Sequence, residues 1–487
     1  MSLKSYLAGK RILLLGLGRE GRSSLDLVLT VDFAHLGIAD QNPLSFEDLR
    51  EEDLSRLEKQ GKLTRYIGKD YLLSLDDDYD LVLKSPGITF RDQTRFPHEM
   101  QRLVRYPNLE ITGQADLLLR FSRAKIVGIS GTKGKSTTTT LLYEIFSQSN
   151  EAYLRGNIGV PPLQDFALMD ESFVALELSC HQLEFTRQSP PVAILTNLFP
   201  EHLDHYRDYD HYIESKLNLI ANPPEEGMLV ITTAEDPFVV ECVSQTLTTR
   251  HKVAWISRDT SDFDRVRQHD IDPDIEQEHW WLDEKVLHGP DGKTFELPQG
   301  PGLLGSHLLL NAGMASIAAL ACGISVTDIQ AACESFEGLP HRCERLGTFA
   351  GRVFYNDSIA TIPHATLLAV ESLDRVTTLI VGGMDRGIDY EELIRELPET
   401  SIRELIVLPE TGPQISNALE TSYPGRFEIH EVQTMHEAVR VSYERSMVGE
   451  TVLFSPAAAS YHLYKDFAER GDDFSREVRT QAEFFEA

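Results

Sequence analysis

The residues best suited to chemistry lie between positions 127 and 140, where the chain reads VGISGTKGKSTTTT. Gly131 and Gly134 leave room for backbone N–H groups to turn toward an anion, and the start of a following helix adds partial positive charge. The Lys135 ammonium can reach the β- and γ-phosphates of a nucleotide, and the Ser136 hydroxyl can ligate Mg²⁺. The stretch therefore predicts a triphosphate site.

The spacing of this loop differs from the commonest phosphate-loop pattern. G-x-x-x-x-G-K-[ST] needs a glycine at position 129, which is Ile129, and the string here is the narrower G-T-x-G-K-S-T. The alternative is a glycine-rich turn between a strand and a helix, with an incidental lysine. An apolar run over Lys125–Ile129 and a helical pattern over Thr138–Phe146 fall where a phosphate site needs them, which favours phosphate binding.

A carboxylate lies near the end of the next apolar run, Phe173–Leu178. In a parallel sheet, the ligand crevice lies outside the carboxyl ends of the strands. Glu177 is therefore a candidate Mg²⁺ ligand, and an ordinary exposed acid after a strand is an equally good interpretation of the pattern.

Acidic and imidazole groups crowd after a further strand, Val192–Thr196. Glu201, His202 and Asp204 could hold a second cation or a water molecule, although a single histidine usually has no special role. Lys216 lies on a predicted helix over Tyr209–Ile220, and by itself it resembles any solvated helix lysine.

Three more predicted strands, near residues 355, 381 and 454, also end in polar groups. The strings Asn356–Thr361, Gly382–Gly387 and Ser455–Tyr461 should converge on one face of a sheet if these strands are parallel. Arg386 could then bind a carboxylate through two hydrogen bonds. The alternative is three ordinary loops between strands and helices.

The start of the chain carries LLLGLGREG over residues 13–21, with Asp40 about twenty residues later. This G-x-G-x-x-G arrangement is Rossmann-like. It could bind a dinucleotide, bind another diphosphate such as a UDP-sugar, or form only a tight turn between a strand and a helix.

The elements that must position these residues are strands that alternate with helices, which predicts an α/β fold with mainly parallel sheets. We predict three domains: a Rossmann-like domain over 1–121, a central P-loop ATPase-type domain over 122–339, and a second Rossmann-like domain over 340–487. Leu339–Pro340 is the expected hinge. Residues 258–300 are polar and turn-rich, and we expect a peripheral insertion or a few antiparallel strands there.

Composition narrows the class of protein. The 487 residues carry 46 basic and 76 acidic side chains, a formal charge of −30, which argues against a broad nucleic-acid interface. The five cysteines are scattered without a C-x-x-C pair, so we expect neither disulfides nor a thiolate zinc site. With no apolar leader segment and no long apolar window, we expect a cytoplasmic protein with no membrane contact.

Taken together, these motifs resemble the Mur ligases, the ATP-dependent amino-acid-adding enzymes of peptidoglycan precursor synthesis, and among them the glutamate-adding branch. The resemblance covers nearly the whole chain. The strings that carry it are GTKGKSTTTT (131–140), RGNIG (155–159), LELSCHQLE (176–184), TNLFPEHLDHY (196–206), HRCER (341–345), NDSIAT (356–361), GGMDRGID (382–389) and SPAAASYHLYKDFAERGDDF (455–474).

The resemblance implies a three-domain enzyme that binds, in order, the UDP part of a nucleotide-sugar, ATP and the incoming amino acid. The implied substrates are UDP-N-acetylmuramoyl-L-alanine and glutamate, joined through an acyl phosphate with two Mg²⁺ ions. NAD is not expected despite the glycine motif, and we expect a monomer. The residue matching Lys216 is typically carbamylated in this family, which would turn a cation into a metal-binding carbamate.

The resemblance also assigns residues to each site. Lys135, Glu177, His202 and Lys216 are the implied catalytic residues. The implied metal ligands are Ser136, Glu177, His202 and Lys216. The implied ATP site comprises Gly131, Thr132, Lys133, Gly134, Lys135, Ser136, Thr137, Asn311, Arg342 and Asp357. The implied UDP-sugar site comprises Gly18, Arg19, Glu20, Gly21, Asp40, Ser85, Pro86, Gly87, Asn157 and Ser179. The implied glutamate site comprises Thr361, Arg386, Ser460 and Phe467.

Several positions depart from the family pattern. Ile359 replaces the lysine of NDSKAT, and Arg386 stands where a lysine is common. Both fall at the amino-acid pocket and leave the glutamate enantiomer open, because one lineage of these ligases adds L-glutamate. Leu308 removes one expected adenine contact. The alternatives are another Mur-type or folylpolyglutamate-type ligase, a P-loop NTPase that couples hydrolysis to motion or assembly, and a non-catalytic nucleotide-binding protein.

Overall fold

The computed structural model describes residues 1–46, 49–90, 109–201, 205–303, 305–373 and 375–485. The chain forms two compact units, residues 1–298 with 306–333 and residues 299–305 with 334–487. The first unit contains two sheets and the second contains one. No helix in the described part of the chain is long and apolar enough to cross a membrane.

The first sheet has five parallel strands in the order β3-β2-β1-β4-β5. They are β1 (Arg11–Leu15), β2 (His35–Asp40), β3 (Leu63–Ile67), β4 (Leu81–Lys84) and β5 (Glu110–Thr112). Both faces of β1 are covered, because Ile12 and Leu14 enter one apolar cluster while Leu13 and Leu15 enter another. Burial on both faces explains why this parallel strand is a continuous apolar run.

The second sheet has nine strands in the order β14-β13-β12-β11-β10-β9-β6-β8-β7, and only its β12–β13 and β13–β14 pairs are antiparallel. They are β6 (Lys125–Ser130), β7 (Ala152–Gly156), β8 (Phe173–Glu177), β9 (Val192–Leu195), β10 (Met228–Thr233), β11 (His251–Ser257), β12 (Glu276–Asp283), β13 (Val286–His288) and β14 (Thr294–Glu296). Strand β6 lies between β8 and β9, so the ends of all three strands meet at one edge.

The third sheet, in the second unit, has the order β15-β16-β20-β17-β18-β19, and only β15 is antiparallel to its neighbour. The strands are β15 (Glu344–Phe349), β16 (Arg352–Asn356), β17 (Val376–Gly383), β18 (Glu404–Glu410), β19 (Glu428–Glu431) and β20 (Thr451–Phe454). Apolar clusters cover both faces of this sheet as well.

The α-helices of the described residues connect the strands in the alternating pattern that the sequence predicted. They are α1 (Leu3–Leu7), α2 (Arg19–Val28), α3 (Glu51–Lys59), α4 (Gln114–Phe121), α5 (Lys135–Ser147), α6 (Cys180–Leu183), α7 (Tyr209–Ala221), α8 (Pro237–Thr246), α9 (Asp262–Arg267), α10 (Ser306–Ala321), α11 (Val326–Ser335), α12 (Pro363–Ser372), α13 (Glu391–Glu396), α14 (Thr411–Ser422), α15 (Met435–Arg445) and α16 (Phe467–Phe485).

The predicted α/β class with mainly parallel sheets is confirmed, and each predicted apolar strand is present. The interpretation of 258–300 was only partly right, because β12 extends the parallel sheet while β13 and β14 add the antiparallel strands. The strands that the pattern missed include β3, β5, β7 and β19, which lie at sheet edges, and β11, which lies inside the second sheet. The domain boundaries at 121 and 339 stay a prediction.

Candidate active site

The glycine loop between β6 and α5 has the geometry of an anion cradle. Gly131 has φ +143° and Gly134 has φ +83°, conformations that favour glycine. A Cβ atom on Gly131 would lie 2.0 Å from the Thr196 hydroxyl oxygen, and one on Gly134 would lie 2.7 Å from the Asn311 amide nitrogen. These close approaches place Asn311, predicted to bind ATP, directly against the loop.

Two lysine ammonium groups, of the buried Lys216 and the half-buried Lys135, converge on this loop. The Lys135 Nζ donates to the carbonyls of Gly131 at 3.0 Å and Thr132 at 2.8 Å, and the Lys216 Nζ donates to the Gly131 carbonyl at 2.7 Å. Burial, and then the neighbouring Lys135 charge, lower the pKa of Lys216 to about 8. Burial also lowers the pKa of Lys135. Lys216 is thus not the solvated helix lysine that its sequence context suggests.

The segment after β9 holds the loop in shape, a role that the sequence analysis did not assign. The Asn197 Oδ1 accepts from the N–H groups of Thr132 at 3.1 Å and Lys133 at 2.8 Å. The Thr196 hydroxyl donates to the Lys133 carbonyl at 2.6 Å. The available signal was position, because a polar Thr–Asn pair follows a strand that lies beside β6. The first-turn N–H groups of α5, which begins at Lys135, have no intrahelical acceptor and remain available to an anion.

Glu177 ends β8 and is fully buried. Its Oε1 accepts from the Asn157 amide at 2.8 Å, whereas its buried Oε2 meets no hydrogen-bond donor among the described residues. A buried carboxylate oxygen that lacks a partner is costly, and a hard cation is the natural partner for it. Glu177 therefore fits Mg²⁺ binding, together with Ser136 on the first turn of α5.

The structure describes only some of the residues of the second predicted metal site. His202 and Asp204 lie outside the described residues, and Glu201 forms an ion pair with Lys133 at 2.8 Å. In the part of the chain that the structure describes, no group of three or more histidine, cysteine, aspartate or glutamate side chains could hold a metal ion.

The predicted nucleotide-sugar residues of the first sheet also come together. A Cβ on Gly21 would lie 1.9 Å from the Gly16 carbonyl, so α2 packs directly on the glycine turn. The Asp40 Oδ2 accepts from the Leu17 N–H at 2.6 Å, and the Ser85 hydroxyl donates to the Gly16 carbonyl at 2.8 Å. An open pocket beside this turn is lined by Asp40, Gln41, Asn42, Tyr71, Gly87, Ile88 and Thr89.

Asn157 and Ser179, which the resemblance places in the UDP-sugar site, follow the carboxyl ends of β7 and β8. Asn157 is bonded to Glu177, and Ser179 caps the N-terminus of α6. The side chains of Arg19 and Glu20, expected at the UDP-sugar, instead hydrogen-bond residues that follow these strands.

The remaining predicted residues lie in the second unit. Asp357 follows β16 and is buried, accepting from the Cys343 N–H at 3.1 Å and from the Ser455 hydroxyl at 2.7 Å. Burial raises its pKa to about 6, and the charge of the exposed Arg342 opposes that rise.

A buried arginine that the sequence analysis did not single out joins two of the predicted glutamate-site strings. The Arg470 guanidinium donates to the carbonyls of Ser358, Ala458 and Ala459 and to the Ser358 hydroxyl. The Ser358 hydroxyl in turn donates to the Phe467 carbonyl at 2.8 Å. The structure thus brings NDSIAT beside SPAAAS.

The four predicted glutamate residues differ in exposure. Ser460 is buried, Thr361 is half-buried and Phe467 is partly exposed. Arg386 is exposed in the loop after β17 and lies outside the Arg470 network.

Comparison with known proteins identifies the family. The chain matches the Mur ligase middle domain over residues 129–320 and the Mur ligase glutamate ligase domain over residues 341–458. It is 32% identical to a UDP-N-acetylmuramoylalanine–D-glutamate ligase of Clostridioides difficile, over 97% of this chain and 99% of that one. It is 31% identical to the enzyme of that name from Caldanaerobacter subterraneus, over 96% and 98%.

Solved structures share the fold. The UDP-N-acetylmuramate–alanine ligase of Thermotoga maritima aligns with a TM-score of 0.54 at 18% identity, over 97% of this chain and 100% of that one. The MurF ligase of the same organism aligns with a TM-score of 0.53 at 15% identity, over 99% and 97%. With full-length relatives above 30% identity and matching family domains, the chain belongs to the Mur ligase family.

Proposed function

We propose that the protein is an ATP-dependent ligase that adds glutamate to UDP-N-acetylmuramoyl-L-alanine, a step of peptidoglycan precursor synthesis. The observation that carries this proposal is the phosphate loop, where the buried Lys216 and the half-buried Lys135 meet beside the buried Glu177, one of whose oxygens has no hydrogen-bond donor among the described residues. The names of its full-length relatives support the choice of substrates.

The reaction is the joining of a carboxylate and an amine, which needs a leaving group. The L-alanyl carboxylate attacks the γ-phosphate of ATP, giving an acyl phosphate and ADP. The glutamate amine then attacks the acyl carbon, and the tetrahedral intermediate collapses with loss of inorganic phosphate. The chain's task is to align the three substrates and to stabilise the charge that develops on the phosphoryl oxygens.

The residues at the loop are suited to that task. Lys135 can exchange its two loop carbonyls for phosphate oxygens, and the first turn of α5 presents N–H groups to them. Mg²⁺, when bound at Ser136 and Glu177, would supply charge neutralisation of the phosphates. Asn157 fixes the orientation of the Glu177 carboxylate through its hydrogen bond to Oε1.

We include a carbamylated Lys216 in the proposal. Carbamylation requires a neutral amine, and a pKa of about 8 leaves roughly a quarter of the Lys216 side chains neutral at pH 7.5, against about 0.1% for an ordinary lysine. The carbamate would replace a buried cation with an oxygen ligand for the second Mg²⁺, and His202 completes that proposed set.

Residues of the second unit have proposed roles as well. Asp357 and Arg342 would meet ATP, and the glutamate pocket would be formed by Thr361, Arg386, Ser460 and Phe467. The Gly16–Gly21 turn would hold the uridine diphosphate, with Asp40 and the string Ser85–Gly87 beside it. We place the enzyme in the cytoplasm as a monomer.

The test is phosphate release from ATP–Mg²⁺ with UDP-N-acetylmuramoyl-L-alanine, run in parallel with D-glutamate, L-glutamate and neither. Turnover that needs both the nucleotide-sugar and one glutamate enantiomer is the expected result. The enantiomer that supports turnover identifies the stereochemical preference of the proposed glutamate pocket, where Ile359 and Arg386 replace family lysines. Phosphate release that ignores both substrates would overturn the ligase and indicate a plain NTPase.

A further inference from the structure

The first turn of α2 makes direct contacts between the two sheets of the first unit. The Arg19 guanidinium donates to the Gly159 carbonyl at 3.1 Å and to the Asn157 carbonyl at 3.0 Å. These carbonyls belong to the loop after β7, and the Asn157 side chain is the group that holds Glu177. Arg19 therefore lies one residue removed from the carboxylate at the phosphate loop.

The next residue reaches a neighbouring loop. The Glu20 Oε1 accepts from the Gln182 amide at 2.6 Å, and the Gln182 Oε1 accepts from the Ser179 N–H at 3.0 Å. Gln182 is buried and closes a capping box with Ser179. Glu20 thus fixes the amide that shapes the N-terminus of α6.

A buried glutamine, Gln114, makes a third connection between α2 and the second-sheet region. The Gln114 Nε2 donates to the Glu20 carbonyl at 2.7 Å, while its Oε1 accepts from the Leu163 N–H at 3.0 Å. Gln114 is 3% exposed, so its amide has few alternatives to these partners. We call Arg19, Glu20 and Gln114 the inter-sheet clamp.

We propose that the inter-sheet clamp is a positioning device. Through it, the position of α2 determines the positions of the loops around Glu177 and Ser179. This inference rests on the proposed function. The N-terminus of α2 offers backbone N–H groups to a diphosphate, while the side chains of its first two residues hydrogen-bond loops of the second sheet. Holding the diphosphate would thereby hold the acceptor carboxylate relative to the phosphate loop.

The coupling between α2 and these loops should affect the reaction rate. Reacting groups must be held close to their productive positions, and a displacement of about 1 Å can lower a rate by about 100-fold. The loops held by the clamp follow β7 and β8, the strands that present Asn157 and Glu177. Clamp residues do not touch the reacting atoms in this role. They act through Asn157, Gln182 and Ser179.

The chain offers a matched control on the same helix. Arg22 lies one turn after Arg19, and its guanidinium donates to the Ser45 carbonyl at 2.9 Å, within the first-sheet region. Arg22→Ala removes an arginine–carbonyl hydrogen bond from the same helix, and that bond ends in the region of the first sheet rather than the second. A loss that is specific to Arg19 and Glu20 is therefore a loss of coupling rather than of helix stability.

The experiment compares Arg19→Ala, Glu20→Ala, Glu20→Gln and Arg22→Ala in the full chain. UDP affinity is measured by calorimetry, and kcat and KM are measured with UDP-N-acetylmuramoyl-L-alanine. We expect Arg19→Ala and Glu20→Ala to keep UDP affinity within about twofold while kcat falls about 10- to 100-fold. Arg22→Ala should match the wild type, and Glu20→Gln should recover most of kcat because its amide oxygen still accepts from Gln182.

Two results would overturn the clamp. One is loss of UDP affinity with kcat unchanged, which would make these side chains nucleotide ligands. The other is equal loss in the Arg22→Ala control, which would make the role merely structural. Hydrogen exchange separates this inference from the proposed function, because it needs no turnover. Adding UDP should protect a peptide covering 155–160 in the wild type but not in Arg19→Ala, and a peptide covering 177–184 in the wild type but not in Glu20→Ala. Protection retained in both variants would also refute the clamp.

Discussion

Asp357 gives a stability prediction whose sign follows from its burial. The carboxyl is buried beside Cys343 and Ser455, and its pKa rises from the ordinary 3.8 to about 6. Because the folded-state pKa is the higher one, the protonated form favours folding, and that contribution is lost as the pH rises through about 6. Above this pH the folded protein carries an ionised carboxylate that the unfolded chain would solvate better.

The substitution Asp357→Asn removes that cost without removing the contacts. The amide oxygen can accept from the Cys343 N–H, and the amide nitrogen can donate to the Ser455 hydroxyl, whose oxygen lies 2.9 Å from that of Thr366. A pKa difference of about 2 corresponds to about 3 kcal/mol, so Asp357→Asn should be the more stable protein by up to about 3 kcal/mol at pH 8 and by about half of that at pH 5.

Scanning calorimetry at pH 5, 6, 7 and 8 measures the difference. At about 2–4 °C per kcal/mol, the Tm advantage of Asp357→Asn should widen by about 3–6 °C between pH 5 and pH 8. Turnover should fall in the same variant, because Asp357 is a proposed ATP contact and stability at such sites trades against activity. Parallel Tm curves for the two proteins, or a less stable variant at pH 8, would refute the reasoning.

Glu450→Gln is the matched control with the opposite sign. Both Glu450 oxygens accept from the Arg403 guanidinium at 2.6 Å, which holds the pKa of Glu450 below its usual range. Its stabilising contribution is therefore present above the unfolded-state pKa and lost only as the pH falls toward acid. The variant should be less stable than the wild type by a nearly constant amount between pH 6 and pH 8.

Three further predictions concern the phosphate loop. Lys216→Ala should abolish turnover, and ¹³C-labelled bicarbonate should give a carbamate signal in the wild type only; full activity of the variant, with or without bicarbonate, would discard the carbamate. Glu177→Gln should raise the Mg²⁺ concentration for half-maximal turnover by about 10-fold or more; an unchanged Mg²⁺ dependence would remove Glu177 from the metal site. Gly131→Ala, whose Cβ would lie 2.0 Å from the Thr196 hydroxyl oxygen, should weaken ADP binding in calorimetry by about 10-fold or more; wild-type affinity would contradict the close packing.

Much of the site was predictable because parallel strands end at a shared edge. The apolar runs that became β6 and β8 put Gly131 and Glu177 at neighbouring strand ends, so alternation alone brought them together. The motif strings then gave these positions their expected roles. Lys216 was ambiguous from its helix context, and only the resemblance separated it from an exposed lysine.

The contacts that the sequence did not predict are between residues far apart in the chain, and they depend on the direction in which each side chain points. Arg19 lies 138 positions from Asn157, and Glu20 lies 162 positions from Gln182. The family resemblance implied that both residues belong to the UDP-sugar site, and the glycine motif describes only the backbone turn and not where the side chains beyond it go. The role of Asn197 was missed for a related reason, since a strand pattern does not show which loop a polar side chain will hydrogen-bond.

The electrostatics of the loop explain how a chain with a formal charge of −30 can hold an anionic nucleotide. Exposed charges beyond about 8–10 Å are largely screened, so the local groups decide. Lys133 pairs with Glu201, whereas the hydrogen bonds of Lys135 and Lys216 go to loop carbonyls, which carry no net charge to neutralise an ammonium. Burial, and then the charge of Lys135, lower the pKa of Lys216. A triphosphate that takes the place of those carbonyls would offset the repulsion between the two ammonium groups, and this would contribute to its binding free energy.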